Sequence, residues 1–369
     1  MKKTMIYSTI MFFCIFLIPV LIITLGTALP FSVNSPGGSS NSKTSWPTYA
    51  APTPHPSYTP DIPVQTDGKG EYLIKVFDHN TQKIFEISLE EYLVGVVIAE
   101  MPASFELEAI KAQAVAARTY TYKRIEAGIE NKDHPGASIC TDSAHCQAYK
   151  KLTTVTDTTP NKDGKGTMSA SEKIAKIQLA ISETTGLIAC HNDTPIEALY
   201  SSCSGGMTEY AENVWNGKGY PYLIPVKSTG EEIAGEKYKS SISVSKEDFI
   251  KKIKAGLESN NSTTEFNAAP ATVFQSISSI SKSESGRIIT LKIGGVELRG
   301  RDLRKYFSLN STNITFEEKD NNIIMTTLGF GHGVGLSQYG AQVRAIEGLN
   351  FEEILKFYYK GIDLQRIYS

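Results

Sequence analysis

The 369-residue sequence has almost no excess of charge of either sign. Its 37 Lys and Arg residues nearly balance 39 Asp and Glu residues, and the formal net charge is −2. A chain this close to neutral lacks the strongly basic surface that binds nucleic acid, so the charge balance argues against nucleic acid as a partner. An uncharged or weakly charged polymer fits the composition better.

Cysteine is also scarce, with five residues in the whole chain. None of them forms the lipid-attachment motif of a lipoprotein near the N-terminus. The His-Glu-x-x-His motif of zinc proteases is absent as well, which argues against that class of metal-dependent catalysis.

One long apolar segment, residues 5–29, follows Lys2 and Lys3 at the N-terminus. Its length is enough to cross the roughly 30 Å hydrocarbon core of a bilayer, and no small-x-small cleavage site follows it. We therefore expect a transmembrane anchor within residues 1–30, with the N-terminus cytoplasmic and the rest of the chain outside the membrane. The alternative is a cleaved signal peptide, and both interpretations export the remainder of the chain.

Composition divides the exported part into a linker and a globular region. Residues 31–66 are rich in Ser, Pro, Thr and Gly, which is typical of a semi-extended tether. Residues 67–369 have an ordinary globular composition. Within them we expect a metal-binding loop at 127–165 and a smaller subdomain at about 225–305.

The secondary-structure pattern of the globular region predicts the α+β class. Residues 72–79 and 83–87 alternate like two strands of a hairpin. Ser88 has capping-box spacing for a helix that runs to about Glu100, and an Ala-rich helix follows over about 106–126. Further helices mixed with antiparallel hairpins complete the pattern.

Two histidines and two cysteines fall within 13 residues: His134, Cys140, His145 and Cys146. Thiolates and neutral imidazoles are the ligands of tetrahedral zinc, and four of them fill every coordination position. We therefore expect one structural zinc ion. The alternative is a Cys140–Cys146 disulfide, which an exported location permits. Cys190 and Cys203 can form a second disulfide or remain buried thiols.

Glu100 ends a largely apolar helix, and Pro102 forces the chain to turn just beyond it. Burial of a carboxyl at such a position raises its pKa toward that of a general acid. The plainer interpretation is a surface Glu at a helix end.

Three ordered motifs distinguish these interpretations. The first combines Glu100-Met101-Pro102 with residues 108–120. The second combines Tyr200–Gly206 with Thr208 and Glu209, and the third is Gly331–Ala341. Together they resemble the stage II sporulation protein D family, and the resemblance covers about residues 70–369.

The resemblance implies a lytic transglycosylase with a substrate groove, which cleaves the MurNAc–GlcNAc bond of peptidoglycan to a 1,6-anhydro product. Glu100 would be the only catalytic acid/base, because the C6 hydroxyl of the sugar is the nucleophile. The family also implies denuded glycan strands as substrate during forespore engulfment. Its implied partners are a cell-wall amidase and a membrane protein of the engulfment machinery, and its location is the mother-cell membrane facing the forespore.

The resemblance further suggests a set of glycan-binding side chains: Lys111, Gln113, Arg118, Ser202, Ser204, Tyr222, His332 and Gln338. Three of them have structural alternatives, namely a salt bridge to a nearby Glu for Arg118, core packing for Tyr222, and a fixed structural tautomer for His332. Three other functions stay open for the chain as a whole: a muramidase-type hydrolase, a non-catalytic glycan-binding scaffold, and an amidase-activating partner.

Overall fold

The computed structural model describes residues 72–128, 133–157, 167–215, 217 and 219–368. No helix within these residues is long and apolar enough to cross a membrane. The anchor predicted at 5–29 and the linker predicted at 31–66 lie outside the described residues, as does part of the predicted metal-binding loop.

Eight α-helices lie within the described residues. In chain order, α1 to α8 are Leu89–Glu100, Leu107–Glu126, Ala170–Glu183, Ala211–Trp215, Lys246–Ser259, Gly300–Phe307, Gln338–Ile346 and Phe351–Tyr358. Short 3-10 helices occupy Leu152–Thr154 and Glu231–Lys237.

The same residues contain fourteen strands. In chain order, β1 to β14 are Leu73–Asp78, Lys83–Ser88, Ile139–Cys140, Leu187–His191, Thr194–Pro195, Tyr200–Ser201, Lys239–Ser245, Ser278–Lys282, Ile288–Ile293, Val296–Arg299, Asn313–Lys319, Asn322–Leu328, Leu336–Ser337 and Asp363–Arg366. They form small sheets with the orders β2-β1-β3, β14-β4-β5, β13-β6, β10-β9-β8 and β11-β12-β7. Pairing is antiparallel except in β1/β3 and β6/β13. The prediction of mixed helices and antiparallel hairpins is confirmed.

Helix α2 lies at the centre of the first hydrophobic core. Its alanines have small side chains, so neighbouring elements can approach its backbone closely. The elements that pack on it are α1, α3, α7, α8 and β4. This core draws its buried residues from 72–226 and 334–367. A second core is built from residues between Phe249 and Met325. The subdomain boundary at about 225–305 stays a prediction.

Helix α1 begins and ends where the sequence predicts. The Ser88 hydroxyl accepts a hydrogen bond from the Glu91 N–H, which satisfies one of the free donors of the first turn. Met101 is extended (φ −127°, ψ 137°), as expected for a residue that precedes proline. The helix therefore stops with Glu100 in its last turn.

Candidate active site

The Glu100 carboxyl is held by two donors from distant parts of the chain. The Ala148 backbone N–H donates to Oε1 at 2.9 Å, and Gln338 Nε2 donates to Oε2 at 3.2 Å. Burial raises the pKa of Glu100, and both hydrogen bonds act in the opposite direction. Glu100 is partly buried at the helix end, so it is not a freely exposed surface Glu.

Gln338 reaches Glu100 because it is the first residue of α7. The preceding Ser337 caps this helix, and its hydroxyl accepts hydrogen bonds from Gly340 N–H at 3.3 Å and from Ser204 N–H at 3.1 Å. Gln338 itself is only 3% exposed. Of the eight predicted glycan-binding residues, Gln338 is the one for which the structure shows a hydrogen bond to Glu100.

The other donor, Ala148, is placed by the residue before it. Gln147 Nε2 donates to Thr121 Oγ1 on α2 at 2.8 Å, and the Tyr200 hydroxyl donates to Gln147 Oε1 at 2.7 Å. Both side-chain groups of this buried amide are therefore satisfied. Nearby, the negative charge of Glu100 helps to raise the pKa of Tyr200, after the larger effect of burial.

After Ala148, the chain passes close to helix α1 because Gly95 has no side chain there. A Cβ on Gly95 would overlap the ring of Tyr149. That ring stacks on Tyr92 of the same helix, with centroids 5.5 Å apart and an interplanar angle of 8°. Lys150 N–H also donates to the Gly95 carbonyl at 3.0 Å. The close approach fixes residues 148–150 against the helix that carries Glu100.

The predicted metal ligands converge two residues before Ala148. One nitrogen or sulfur atom from each of the four side chains lies within 4.8 Å of all the others: His134, Cys140, His145 and Cys146. Cys146 Sγ lies 3.6 Å from His134 Nε2 and 3.2 Å from His145 Nδ1, and Cys140 Sγ lies 3.6 Å from His145 Nδ1. Both thiols are free, so the structure contains no Cys140–Cys146 disulfide.

The second ring nitrogen of each histidine also has a partner. His134 Nδ1 donates to the Ala137 carbonyl at 2.6 Å, and His145 Nε2 lies 3.5 Å from Asp133 Oδ2. Such outer contacts orient metal-binding imidazoles in many proteins. These contacts occupy His134 Nδ1 and His145 Nε2, so His134 Nε2 and His145 Nδ1 face the thiols.

The structure corrects the prediction that Lys111 and Arg118 line a groove. Arg118 is fully buried and forms a bidentate pair with Glu90, at 2.9 and 2.6 Å, while Nη1 donates to the Leu187 carbonyl. Lys111 Nζ pairs with Glu108 at 2.7 Å and Glu183 at 2.5 Å. The salt-bridge alternative for Arg118 is therefore the correct one, and both cations join helices of the core.

Three more of the predicted glycan-binding side chains lie in the interior. Gln113 is fully buried on α2. The Ser204 hydroxyl donates to Glu231 Oε1 at 2.8 Å, and the Tyr222 hydroxyl accepts from Glu197 N–H at 2.9 Å. Because these side chains are at most 6% exposed, the structure corrects their assignment to a glycan surface. Ser202 is partly exposed, and its role stays a prediction.

His332 is partly exposed and has a fixed tautomer. Its Nδ1 accepts a 3.0 Å hydrogen bond from Val334 N–H, so the proton resides on Nε2. Burial, followed by the positive charges of Arg304 and Arg287, lowers the pKa of His332 to about 3. The imidazole is therefore neutral, and its ring lies 4.9 Å from Trp215. A role in glycan binding stays a prediction.

Several structurally important residues gave no signal in the sequence. Glu231 is fully buried and accepts from the Cys203 thiol at 3.0 Å, the Gly205 N–H at 3.0 Å and the Ser228 hydroxyl at 2.5 Å. Cys203 is thus a buried thiol, as is Cys190. Ala148 acts through its backbone, which no side-chain pattern reveals.

Two protein-family models match parts of the chain. A family model described as "Stage II sporulation protein" matches residues 77–191, and a domain of unknown function (DUF8618) matches residues 237–335. The chain is 35% identical to stage II sporulation protein D of Bacillus subtilis (strain 168) over 79% of its length and 78% of that protein. It is 33% identical to the Bacillus amyloliquefaciens protein of the same name, with the same coverage.

A more distant relative carries a different name. The chain is 29% identical to the amidase enhancer of Bacillus subtilis (strain 168), over 74% of its own length and 40% of that protein. On the strength of the two closer relatives, which match more than two thirds of the sequence at over 30% identity, the chain belongs to the stage II sporulation protein D family.

Proposed function

We propose that the chain is a membrane-anchored peptidoglycan lytic transglycosylase, which cleaves MurNAc–GlcNAc bonds of denuded glycan strands to 1,6-anhydro products during forespore engulfment. One observation carries the proposal: Glu100 is a carboxyl whose pKa is raised by burial and whose two oxygens are each fixed by a donor. A carboxyl with a raised pKa retains its proton closer to neutral pH, as a general acid must.

The proposed reaction uses Glu100 twice. The protonated carboxyl gives its proton to the glycosidic oxygen as the bond to the anomeric carbon breaks. The resulting carboxylate then takes the proton of the C6 hydroxyl, whose oxygen bonds to the anomeric carbon. Hydrogen bonds from Ala148 and Gln338 hold the carboxyl in one orientation and stabilise its charged form between the two transfers.

The groups that shift the pKa of Glu100 fit an internal nucleophile. Among the described residues they are burial, the Ala148 N–H and the Gln338 amide, and none of them is a second carboxylate. A retaining hydrolase needs a second carboxyl about 5–5.5 Å away, and an inverting one needs it about 6.5–9.5 Å away. An internal nucleophile removes the need for either.

The cellular setting rests on the relatives and on the sequence. The closer relatives are named for sporulation and a distant one for enhancing an amidase, which supports a cell-wall substrate and an amidase as partner. We also propose that residues 5–29 anchor the chain, with the N-terminus cytoplasmic and the globular region extracytoplasmic. A membrane protein of the engulfment machinery completes the proposed set of partners.

A structural zinc ion is part of the proposal. Zinc bonds of about 2.0–2.3 Å require tetrahedral edges of about 3.3–3.8 Å. Three sulfur–nitrogen distances of 3.2–3.6 Å come close to this range, and all four ligand atoms lie within 4.8 Å of one another. The residues therefore fit the ion. His134, Cys140, His145 and Cys146 would hold it, and bound zinc would cross-link a loop that has few apolar residues of its own.

The test is turnover of peptide-stripped glycan strands by the full chain and by Glu100→Gln. We expect the variant to lose at least about 100-fold in rate while still binding glycan. Glu91→Gln is the matched control, because it makes the same change at an exposed position of the same helix. Equal loss in both variants, or full activity in Glu100→Gln, would refute the role of Glu100. Binding without turnover by the unaltered chain would favour a scaffold.

A further inference from the structure

Trp215, at the end of α4, is an exposed aromatic residue on a polar support. Its side chain is among the large hydrophobic groups that stay open to solvent, at 46% exposure. The indole ring lies 4.9 Å from the neutral imidazole of His332, with an interplanar angle of 58°. An exposed indole that is held in place offers a flat apolar face at low entropic cost, which suits the C–H face of a sugar ring.

Helix α6 brings two arginines to the same place. Arg301 Nη1 donates to the carbonyl of Val214, the neighbour of Trp215, at 3.2 Å. Arg304 Nε donates to the Leu309 carbonyl at 3.2 Å. The residue after Leu309 accepts a 2.9 Å hydrogen bond from Gly331 N–H, next to His332. We refer to the four converging side chains as the arginine–tryptophan cluster: Trp215, Arg301, Arg304 and His332.

Among the described residues, no acidic side chain pairs with Arg301 or Arg304, the two arginines of this cluster. The Arg304 charge also acts on His332 and Arg287, whose pKa values it helps to lower. Arg287, in contrast, has Glu209 and Glu231 as opposing charges. A partly buried guanidinium without a carboxylate is a ready partner for an anion.

The cluster is joined to the Glu100 site by a two-strand ladder. The His332 ring forms a hydrogen bond with the Tyr200 backbone. Tyr200 in turn pairs with Leu336 in the parallel ladder β6/β13. Two residues after Leu336, Gln338 contacts Glu100. A short run of hydrogen-bonded residues therefore connects the cluster to Glu100.

We propose that the arginine–tryptophan cluster is a subsite for a carboxylate-bearing sugar of the glycan strand, a muramyl residue whose lactyl group is free of peptide. The inference rests on the proposed function and adds a physical basis for selecting denuded strands. Removal of the stem peptide converts a neutral lactyl amide into a carboxylate. A guanidinium binds that carboxylate with charge-assisted hydrogen bonds that the amide cannot replace.

The test measures binding to the full chain carrying Glu100→Gln, so that substrate is not consumed. Three oligosaccharides of equal length serve as probes: denuded glycan, the same glycan with each lactyl group converted to a methylamide, and chitooligosaccharide. We expect denuded glycan to bind about tenfold or more tightly than the methylamide form. Arg304→Ala should abolish that preference and leave chitooligosaccharide binding unchanged.

Lys305→Ala is the matched control, since it removes one positive charge from an exposed neighbour on the same helix. Arg301→Ala repeats the test at an exposed position, in case loss of the Arg304–Leu309 contact impairs folding. Trp215→Ala should weaken all three probes alike. The proposal is overturned if Arg301→Ala and Arg304→Ala keep the preference, or if the unaltered cluster shows none.

The two proposals fail in different ways. If the Glu100→Gln chain binds none of the three probes, or if the chain with Glu100 intact cleaves no strand, the proposed function fails. If cleavage occurs and the arginine variants leave the carboxylate preference intact, only the subsite fails. Competition by glycerol phosphate as strong as that by denuded glycan would assign the cluster to phosphate polymers instead and overturn the subsite.

Discussion

The Ala148 N–H donates a 2.9 Å hydrogen bond to Glu100 Oε1, and Ala148 lies only two residues beyond Cys146. The loop that carries the cysteines and histidines therefore supplies one of the two groups that orient the proposed acid. Gln147 ties the same loop to α2 and to Tyr200. A change at the proposed zinc site should consequently reach the active site through the backbone of three consecutive residues.

Loss of one proposed zinc ligand tests this connection. We expect the full chain to contain one zinc per molecule by elemental analysis, and Cys146→Ser to lose it. Its thermal midpoint should fall by several degrees and its turnover about tenfold or more, because Ala148 is no longer held on Glu100.

The matched control for that experiment is Cys190→Ser, a buried free thiol on β4 outside the cluster. It should retain zinc and turnover. A chain that contains no zinc, or a Cys146→Ser variant that keeps its zinc, would contradict the assignment.

Gln338→Met should shift the pH dependence of the reaction. The Gln338 amide lowers the pKa of Glu100 against the larger effect of burial, and methionine offers no such donor. The pKa of Glu100 should rise further, so the alkaline limb of kcat/KM should move to higher pH. Gln342→Met makes the same change on the same helix, and no shift is expected there. A Gln338→Met profile that falls in height without moving would mean that the amide does not act on Glu100.

Glu100→Gln should stabilise the fold at neutral pH. The folded-state pKa of Glu100 is raised, so ionisation above that pKa costs folding free energy, and below the unfolded value of about 4.3 the cost is absent. We expect the free energy of unfolding in urea to increase at neutral pH, and this gain should vanish below about pH 4. A variant that is less stable than the parent at neutral pH would argue against a buried acid whose ionisation opposes folding.

Arg118→Met should act on stability and not on substrate affinity. Removal of the guanidinium leaves Glu90 as a buried charge without its main partner, at a cost of about 3–5 kcal/mol. Adding Glu90→Gln should recover part of that loss in urea denaturation. The KM of the folded variant should equal that of the parent. A raised KM with unchanged stability would return Arg118 to the glycan groove.

The start of a helix was predictable from the sequence where the residue before it caps the first turn with its own side chain. Helix α1 begins after Ser88, whose side chain accepts a hydrogen bond from the first turn as its spacing predicts. The start of helix α7 was not predicted from the sequence. It follows the glycine-rich stretch 329–335 and the short strand β13, and the hydroxyl of its cap residue Ser337 also accepts a hydrogen bond from Ser204 N–H, a tertiary contact that the sequence does not show.

The site was predictable where distinctive side chains lie close together in sequence. The four proposed zinc ligands are close in sequence, and the structure brings their ligand atoms within 4.8 Å of one another. Arg118 pairs with Glu90, which lies 28 residues away on another helix, and a single sequence cannot identify that partner. Ala148 was beyond prediction, because its contribution is a backbone N–H.

Digestion of denuded glycan by the full chain in heavy-oxygen water tests the central claim most directly. If Glu100 passes the C6 proton and the sugar closes on itself, every new muramyl end is an anhydro sugar, one water lighter than a reducing end, and carries no heavy oxygen. Mass spectrometry of the products should show only such ends, and Glu100→Gln should remove them. New reducing ends that contain heavy oxygen would show that water is the nucleophile and would contradict the account.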